Sequence, residues 1–528
     1  MCSIGAATVT LATPAAATSP DDEQRALEQL LLDSVRGAHF EQVVDYGPIE
    51  GLCPAGSGCP ETAPTIAATP NVDVAVIELD DKGRAVAAAN VLLSRDHPDG
   101  IVVPIDLDRG PAGSYGVSSV RWRRWDMARF DGGTFDEETG QRVTTMAWDA
   151  PYSPADDLLA GREQAAVSFL SPYPASLFKV IVAFRIMRLV DMKQLSLNDR
   201  VPPPPAPAAA TPSTTAPLPT TGSATPAPPT RSAPATPTTE PASPALTPQR
   251  AERADRTDAA QATVHAGRIG ETPGQRVRDA MFAMMTYSDN ESARGLLRLL
   301  HQRNDLPAMH AELRELGLGT LQINGTNPAT GGNWQPGSIS MTSMDTARLL
   351  WLIEQDSGEL WTRPDGKAVQ ASLLSPKSRA YLQGLLADQA YQEALATTIF
   401  CGKEVVRPGI PATEPRRWIN PSDGTVTVDG YFYGNDVRPC NAAAEVTFDH
   451  KTGLTWNYGA DAGIVQQLKG KPERHYVISF ISNLGYRYVD SSFANRRSTP
   501  CEDPVSPICF AQQIPTMAQQ IDAGLRDR

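Results

Sequence analysis

The 528-residue chain holds only seven histidines, and none forms an H-E-x-x-H pattern, so a zinc-hydrolase helix is excluded. It has no G-x-S-x-G stretch, which removes the nucleophile elbow of an α/β-hydrolase. No run reaches the ~18 apolar residues that a membrane-spanning helix requires. Lysine and arginine, 47 together, are outnumbered by 60 aspartates and glutamates, for a net charge of −13. Nor is there a local basic run to lie on a phosphate backbone, so nucleic acid is not an expected partner. The seven cysteines form no zinc-ligand array, and neither metal nor cofactor is expected.

What is present is a 41% hydrophobic chain, long enough for two or three ordinary domains and a large core. Six cysteines fall into pairs by position, Cys53 with Cys59, Cys401 with Cys440 and Cys501 with Cys509, leaving Cys2 alone. The close pairs sit in the turn-rich stretches CPAGSGC and CEDPVSPIC, where short disulfide loops are feasible, so a secreted or cell-envelope location is expected. Residues 1–20 carry a weakly apolar stretch and an Ala-Ala-Ala before Thr18 like a signal-peptidase site, without the positive n-region. A signal peptide beginning upstream fits; a cytoplasmic N-terminus is the alternative.

Helical spacing marks residues 22–37, and NVDVAVIELDDKGRAVAAANVLL reads as two strands joined at DDKG. Residues 94–165 show little periodicity and are expected to be an irregular insertion. SLFKVIVAFRIMRLVDMKQLSLNDRV reads as a buried helix of about five turns. Residues 202–249 are nearly all Pro, Ala, Thr and Ser, too poor in apolar surface to offset chain entropy, and the disordered insertion extends to about 262. Helical patterns follow, then three strand patterns (AEVTFDHKTG, DAGIVQQL, HYVISFISNLGYRYV) and a closing helix. The fold class expected is α/β in the α+β sense, an antiparallel sheet from both chain ends flanked by helices, with an inserted helical domain.

In PYPASLFKVI, Ser176 precedes Lys179 by three positions at the start of that apolar helix. Alone, this is as easily a helix cap followed by a cation. A lysine inside VIVAFRIM, however, needs a partner, and at i, i+3 its amine reaches the serine hydroxyl. Burial favours the neutral amine, which can take the serine's proton. YSDNESA supplies Ser288 and Asn290, and FDHKTGLTW supplies Lys451, Thr452 and Gly453 on a strand. Each motif is weak alone; the ordered set of three is the signature of serine enzymes acting on penicillin and related peptidoglycan substrates.

On these motifs the chain resembles the class A β-lactamase and penicillin-binding, transpeptidase-like family. The resemblance covers roughly residues 65–94, 165–200 and 265–525, and implies a serine hydrolase, β-lactamase or D-alanyl-D-alanine peptidase in type. It implies Ser176 as nucleophile, Lys179 as base and Ser288 as proton relay. It also implies Asn290 on the substrate amide, Lys451 and Thr452 on its carboxylate, Gly453 for close approach, and the N–H groups of Ser176 and Leu454 as oxyanion hole. Because Ser176 lies before the proline-rich tract and the other motifs after it, residues 21–528 are expected to be one domain with the tract as a surface insertion.

The resemblance fails at one place. Class A β-lactamases carry a deacylating glutamate between the second and third motifs, and the stretch LQINGTNPATGGNWQPGSISMTSMDTARLL has no glutamate, only Asp345. Turnover of the acyl-enzyme is therefore in question unless Glu404 or Glu414 folds over the site; both are expected to be solvated loop charges. The loop 401–440 is expected to be disulfide-pinned, as a substrate-restricting flap or a stability insertion, with Trp418, Tyr431 and Tyr433 as its own small core. His450, next to Lys451 on a strand, is expected to face the other way and pack. The expected partner is a small β-lactam or peptidoglycan-derived molecule, and the chain is expected to be a monomer. The alternative of another class is a non-catalytic cell-envelope binding module that keeps the fold.

Overall fold

Two β-branched runs from opposite ends of the chain, VDVAVIEL and HYVISFIS, pair directly and antiparallel, Val72 opposite Ser482 and Glu78 opposite Tyr476. The computed structural model describes residues 19–43, 69–107, 112–125, 154–203, 274–402, 407–428, 430–455, 458–485 and 509–528. The expectations that rest on residues 1–18, Cys53 and Cys59, Cys501, Glu404 and residues 204–273 lie outside these.

In chain order the elements are α1 (Pro20–Gly37), β1 (Val72–Leu79), β2 (Ala85–Ser94), β3 (His97–Val102), β4 (Val120–Arg124), β5 (Val167–Ser171), α2 (Lys179–Asp191), α3 (Val277–Thr286), α4 (Asn290–Gln302) and α5 (Leu306–Glu315). Then come β6 (Gln322–Ile323), β7 (Ile339–Ser340), α6 (Ser343–Glu354), β8 (Glu359–Thr362), β9 (Ala368–Gln370), α7 (Pro376–Ala387), β10 (Val426–Val428), β11 (Tyr431–Tyr433) and α8 (Arg438–Ala443). The chain closes with β12 (Val446–Leu454), β13 (Gly459–Gln467), β14 (His475–Ser482) and α9 (Cys509–Arg526). A six-stranded antiparallel sheet has the order β12-β13-β14-β1-β2-β3, so both chain ends build it.

Successive side chains of a strand face opposite ways, and both faces here are covered. Val74, Val76, Phe448 and Phe480 pack on one side with Leu27 and Leu31 of α1 and Ile521 of α9. Ala75, Ile77, Ala460 and Ala462 pack on the other with the helical block built around α2. In α2, Val180, Ile181, Phe184, Ile186, Met187 and Leu189 are all buried. At about 1.5–3 kcal/mol for each large side chain, that burial outweighs the cost of carrying Lys179 into the same core.

Three expectations are corrected. Residues 94–165 are not wholly irregular: β3 extends the main sheet, and β4 pairs parallel with β5, Trp122 opposite Phe169. The Pro and Gly of HPDGIV and the arginines of VRWRR hid the alternation that marks strands. The helix after Ser176 is 13 residues, not five turns, preceded by a 3-10 turn over Ala175–Phe178. It stops in a Schellman pattern, with Lys193 at φ 58° and Gln194 N–H donating to Leu189 O at 2.9 Å. Finally, QRVRDAMFAMMTYSDNESARGLLRLLHQ (275–302), one of the helical patterns in the sequence, is two helices: Ser288 at φ 63° breaks the run, and Asp289 caps α4 by accepting from Ser292 N–H at 2.6 Å.

The backbone flanking residues 204–273 is clasped. Val201 N–H donates to Gln275 O at 2.8 Å, Val277 N–H donates to Asp199 O at 2.8 Å, and Arg200 bridges Arg276. Among the described residues no helix is long and apolar enough to cross a membrane.

Candidate active site

The backbone turns sharply beside both serines. Ala175, immediately before Ser176, has φ 46°, and Ser288 has φ 63°, a left-handed region that costs a residue with a Cβ about 1 kcal/mol or more. The two turns bring their side chains to one buried amine. Lys179 Nζ lies 3.0 Å from Ser176 Oγ, 3.1 Å from Ser288 Oγ, 2.7 Å from Ser288 O and 2.7 Å from Asn290 Oδ1. An ammonium has three N–H donors for these four oxygens. Of the four, only the two hydroxyls can donate in return, so a neutral Lys179 amine would have Ser176 Oγ–H and Ser288 Oγ–H as the donors facing its lone pair.

A second lysine closes the chain of contacts. Lys451 Nζ donates to Ser288 Oγ at 3.0 Å and to Thr452 O at 2.6 Å. Ser288 Oγ thus stands between two fully buried amines, while Ser176, Ser288 and Asn290 are themselves half-buried. Burial lowers the Lys451 amine to about 7, against the opposing pull of the Asp461 and Glu393 carboxylates.

Strand β12 is brought against the Ser176 turn by the absence of a side chain at Gly453. A Cβ there would meet Pro174 O at 2.5 Å, Leu177 N at 2.6 Å and Ser176 N at 2.9 Å, all backbone atoms that cannot swing aside. Thr452 is buried and Leu454 half-buried beside this contact. The eight residues singled out in the sequence, Ser176, Lys179, Ser288, Asn290, Lys451, Thr452, Gly453 and Leu454, therefore lie on three short stretches, 176–179, 288–290 and 451–454, that come together here.

His450 is turned away, as strand alternation requires: it is buried, its Nδ1 lies 2.7 Å from Asp461 Oδ1, and it stacks on Phe448 at 4.1 Å. Asp345 does not face the serine. It accepts from Thr320 Oγ1 at 2.6 Å and pairs with Arg348 at 3.2 Å. Glu414, expected to be solvated, is buried instead; burial, with Glu393 nearby, pushes its carboxyl well above the usual range.

The Cys401–Cys440 disulfide is present and closes the loop expected of it. Within the loop Val426, Val428, Tyr433 and Val437 form a small core with Ile399 and Phe400, while the Tyr431 side chain lies outside what is described. Trp418 packs on that core and meets Tyr287, the neighbour of Ser288, edge to face at 6.4 Å. Sequence reasoning missed this contact, and also Trp334, whose ring centre lies 5.7 Å from Lys179 Nζ. Neither aromatic belongs to a motif; an unexplained tryptophan in a loop of small residues was the available signal.

No protein-family model matches the chain, and no curated protein sequence does. Among solved structures it is similar to PBP-A, at 14% identity over 69% of this chain and 87% of that one, with a TM-score of 0.35. It is also similar to a class A β-lactamase described as the last common ancestor of Gram-negative bacteria, at 15% identity over 67% of this chain and 85% of that one, with a TM-score of 0.32. A PBP-A mutant described as an acyl-enzyme complex with penicillin G matches at 15% identity over 69% of this chain and 88% of that one, TM-score 0.34.

Proposed function

We propose that this chain is an active-site serine hydrolase of the class A β-lactamase-like, penicillin-binding type, which forms an acyl-enzyme on Ser176 with β-lactams or peptidoglycan-type amides. The observation that carries the reading is the unbroken contact path Ser176 Oγ, Lys179 Nζ, Ser288 Oγ, Lys451 Nζ, with every step at 3.0–3.1 Å. In the first step Ser176 Oγ bonds to the substrate carbonyl carbon and its proton moves to the Lys179 amine. The carbonyl oxygen takes up negative charge facing the N–H groups of Ser176 and Leu454, where one donor is typically worth about 10²- to 10³-fold in rate. The C–N bond then breaks, and the leaving nitrogen receives its proton from Lys179 through Ser288 Oγ. Asn290 orients the substrate amide, while Lys451 and Thr452 receive its carboxylate.

Residues on both sides of 204–273 supply this one site, which supports reading the chain as a single domain with the tract as a surface insertion. The disulfide supports an extracytoplasmic location. The test is intact-protein mass spectrometry after exposure to a penicillin-type probe, alongside nitrocefin turnover. Wild type is expected to gain one acyl adduct and Ser176→Ala none. Labelling that survives Ser176→Ala would remove Ser176 as nucleophile, and an unlabelled wild type would favour a non-catalytic binding module.

A further inference from the structure

Residues 324–340 contain no acid, histidine, lysine or arginine. What this loop brings to the buried amine is an indole, the Trp334 ring 5.7 Å from Lys179 Nζ. The ring is fixed from several directions. Its Nε1–H donates to Gly331 O at 2.8 Å, it meets Phe178 edge to face at 5.2 Å, and the Arg294 guanidinium lies 5.2 Å from its centre. The loop beneath is fastened along α4: Arg298 Nη1 donates to Thr330 O at 2.8 Å, and His301 Nε2 shares a hydrogen bond with Thr326 Oγ1 at 2.8 Å. Gly331 lies so close that a Cβ there would strike the Arg294 carbonyl. Displacing the indole therefore means undoing contacts on both the loop and α4.

We infer that Trp334 sets the lifetime of the acyl-enzyme, as a positioning residue that keeps water from the Ser176 ester on the Lys179 side. The inference rests on the proposed function. Hydrolysis requires a water whose oxygen bonds to the ester carbonyl carbon, whose proton passes to a base, and whose attack breaks the carbon–oxygen bond to Ser176, returning the proton to Oγ. Lys179, 3.0 Å from Ser176 Oγ, is the base at hand. Trp334 sets an apolar ring face over that amine, and its single N–H is already given to Gly331. Acylation is unaffected, because Ser176 Oγ–H reaches Lys179 directly and needs no water.

The test loads wild type, Trp334→Phe, Trp334→Leu and Trp334→Ala with penicillin G, removes the excess, and follows loss of the adduct by intact mass, with and without hydroxylamine. Hydroxylamine nitrogen can itself attack the ester, leaving a hydroxamate and free Ser176, so it reports access to the carbonyl. Wild type and Trp334→Phe are expected to retain the adduct alike. Trp334→Leu and Trp334→Ala should lose it about tenfold faster or more, with a larger hydroxylamine effect, while acylation rates stay within about threefold. Thermal melts show which variants are folded, and the leucine variant carries the comparison if the alanine one is not. Equal adduct loss and equal hydroxylamine sensitivity in folded variants would overturn the inference, as would rapid turnover by wild type. A wild type that never acylates overturns the proposed function instead.

Discussion

Lys451 carries a charge that depends on pH within the working range. Burial brings its amine to about 7, with Asp461 and Glu393 pulling the other way and Ser288 Oγ and Thr452 O as its hydrogen-bond partners. Below about pH 7 it is positive and, under the proposed function, would attract a substrate carboxylate; above, that attraction would fade. Second-order acylation by a carboxylate-bearing probe should fall with a slope approaching tenfold per pH unit above about 7. The same probe esterified at its carboxylate should show no such limb, and Lys451→Gln should flatten the profile. The sign for folding is the reverse of the usual lysine case. Between about pH 7 and the 10.5 of a free lysine the unfolded chain binds a proton that the folded one does not, so this group lets stability rise with pH across that window.

Among elements, the decisive contact is β12 against the 3-10 turn of Ser176. Gly453→Ala must push the strand off that turn, since its Cβ would lie 2.5 Å from Pro174 O. Overpacking of this kind costs about 1–3 kcal/mol. The expected readout is a modest fall in melting temperature with a fall of at least about tenfold in acylation rate, because the strand shift also moves Leu454 N–H and Lys451. Unchanged acylation would show that the strand does not set the site. The sequence made this strand legible because AEVTFDHKTG alternates, and it made the β1–β2 hairpin legible through DDKG, where Gly83 adopts φ 73°. The break at Ser288 was harder to see, since apolar spacing runs on from α3 into α4; only Asp289, a good cap, marks it. β3 was hidden by its proline and glycine, and Trp334 by a loop whose neighbours carry no charge. Motif residues are readable because their chemistry restricts their type, whereas Trp334 is defined by contacts that exist only after folding.

The molecule as a whole buries acids as well as lysines. Asp73, fully buried with Asn90 and Ser343 as donors, is raised by burial to about 7. Asp449 is raised by burial to about 7 as well, helped by the charges of Glu354 and Asp388. Glu354 lies 3.1 Å from His475 Nε2 and accepts from Gln383, and Asp388 pairs with Arg417 at 3.1 Å. A carboxyl raised on folding keeps its proton longer in the native state, so stability falls as pH climbs from the unfolded value of 3.8 toward 7. Asp449→Asn should match wild type in melting temperature near pH 4 and exceed it near pH 8. A difference of the opposite sign would contradict the burial argument.

The clasp between Asp199–Val201 and Gln275–Val277 gives the polypeptide an unusual freedom. The stretches on either side of 204–273 are tied to each other by backbone hydrogen bonds, so Ser176 and Ser288 are joined by a latch and not only by the intervening covalent chain. A cut within 204–273 should leave two fragments, one bearing Ser176 and the other Ser288 and Lys451, that stay together as a working heterodimer. Nicking within the tract, followed by native gel filtration and probe labelling, should find the two pieces co-eluting with the adduct on the N-terminal one. Continuity of the chain and continuity of the active site would then be separate properties in this protein.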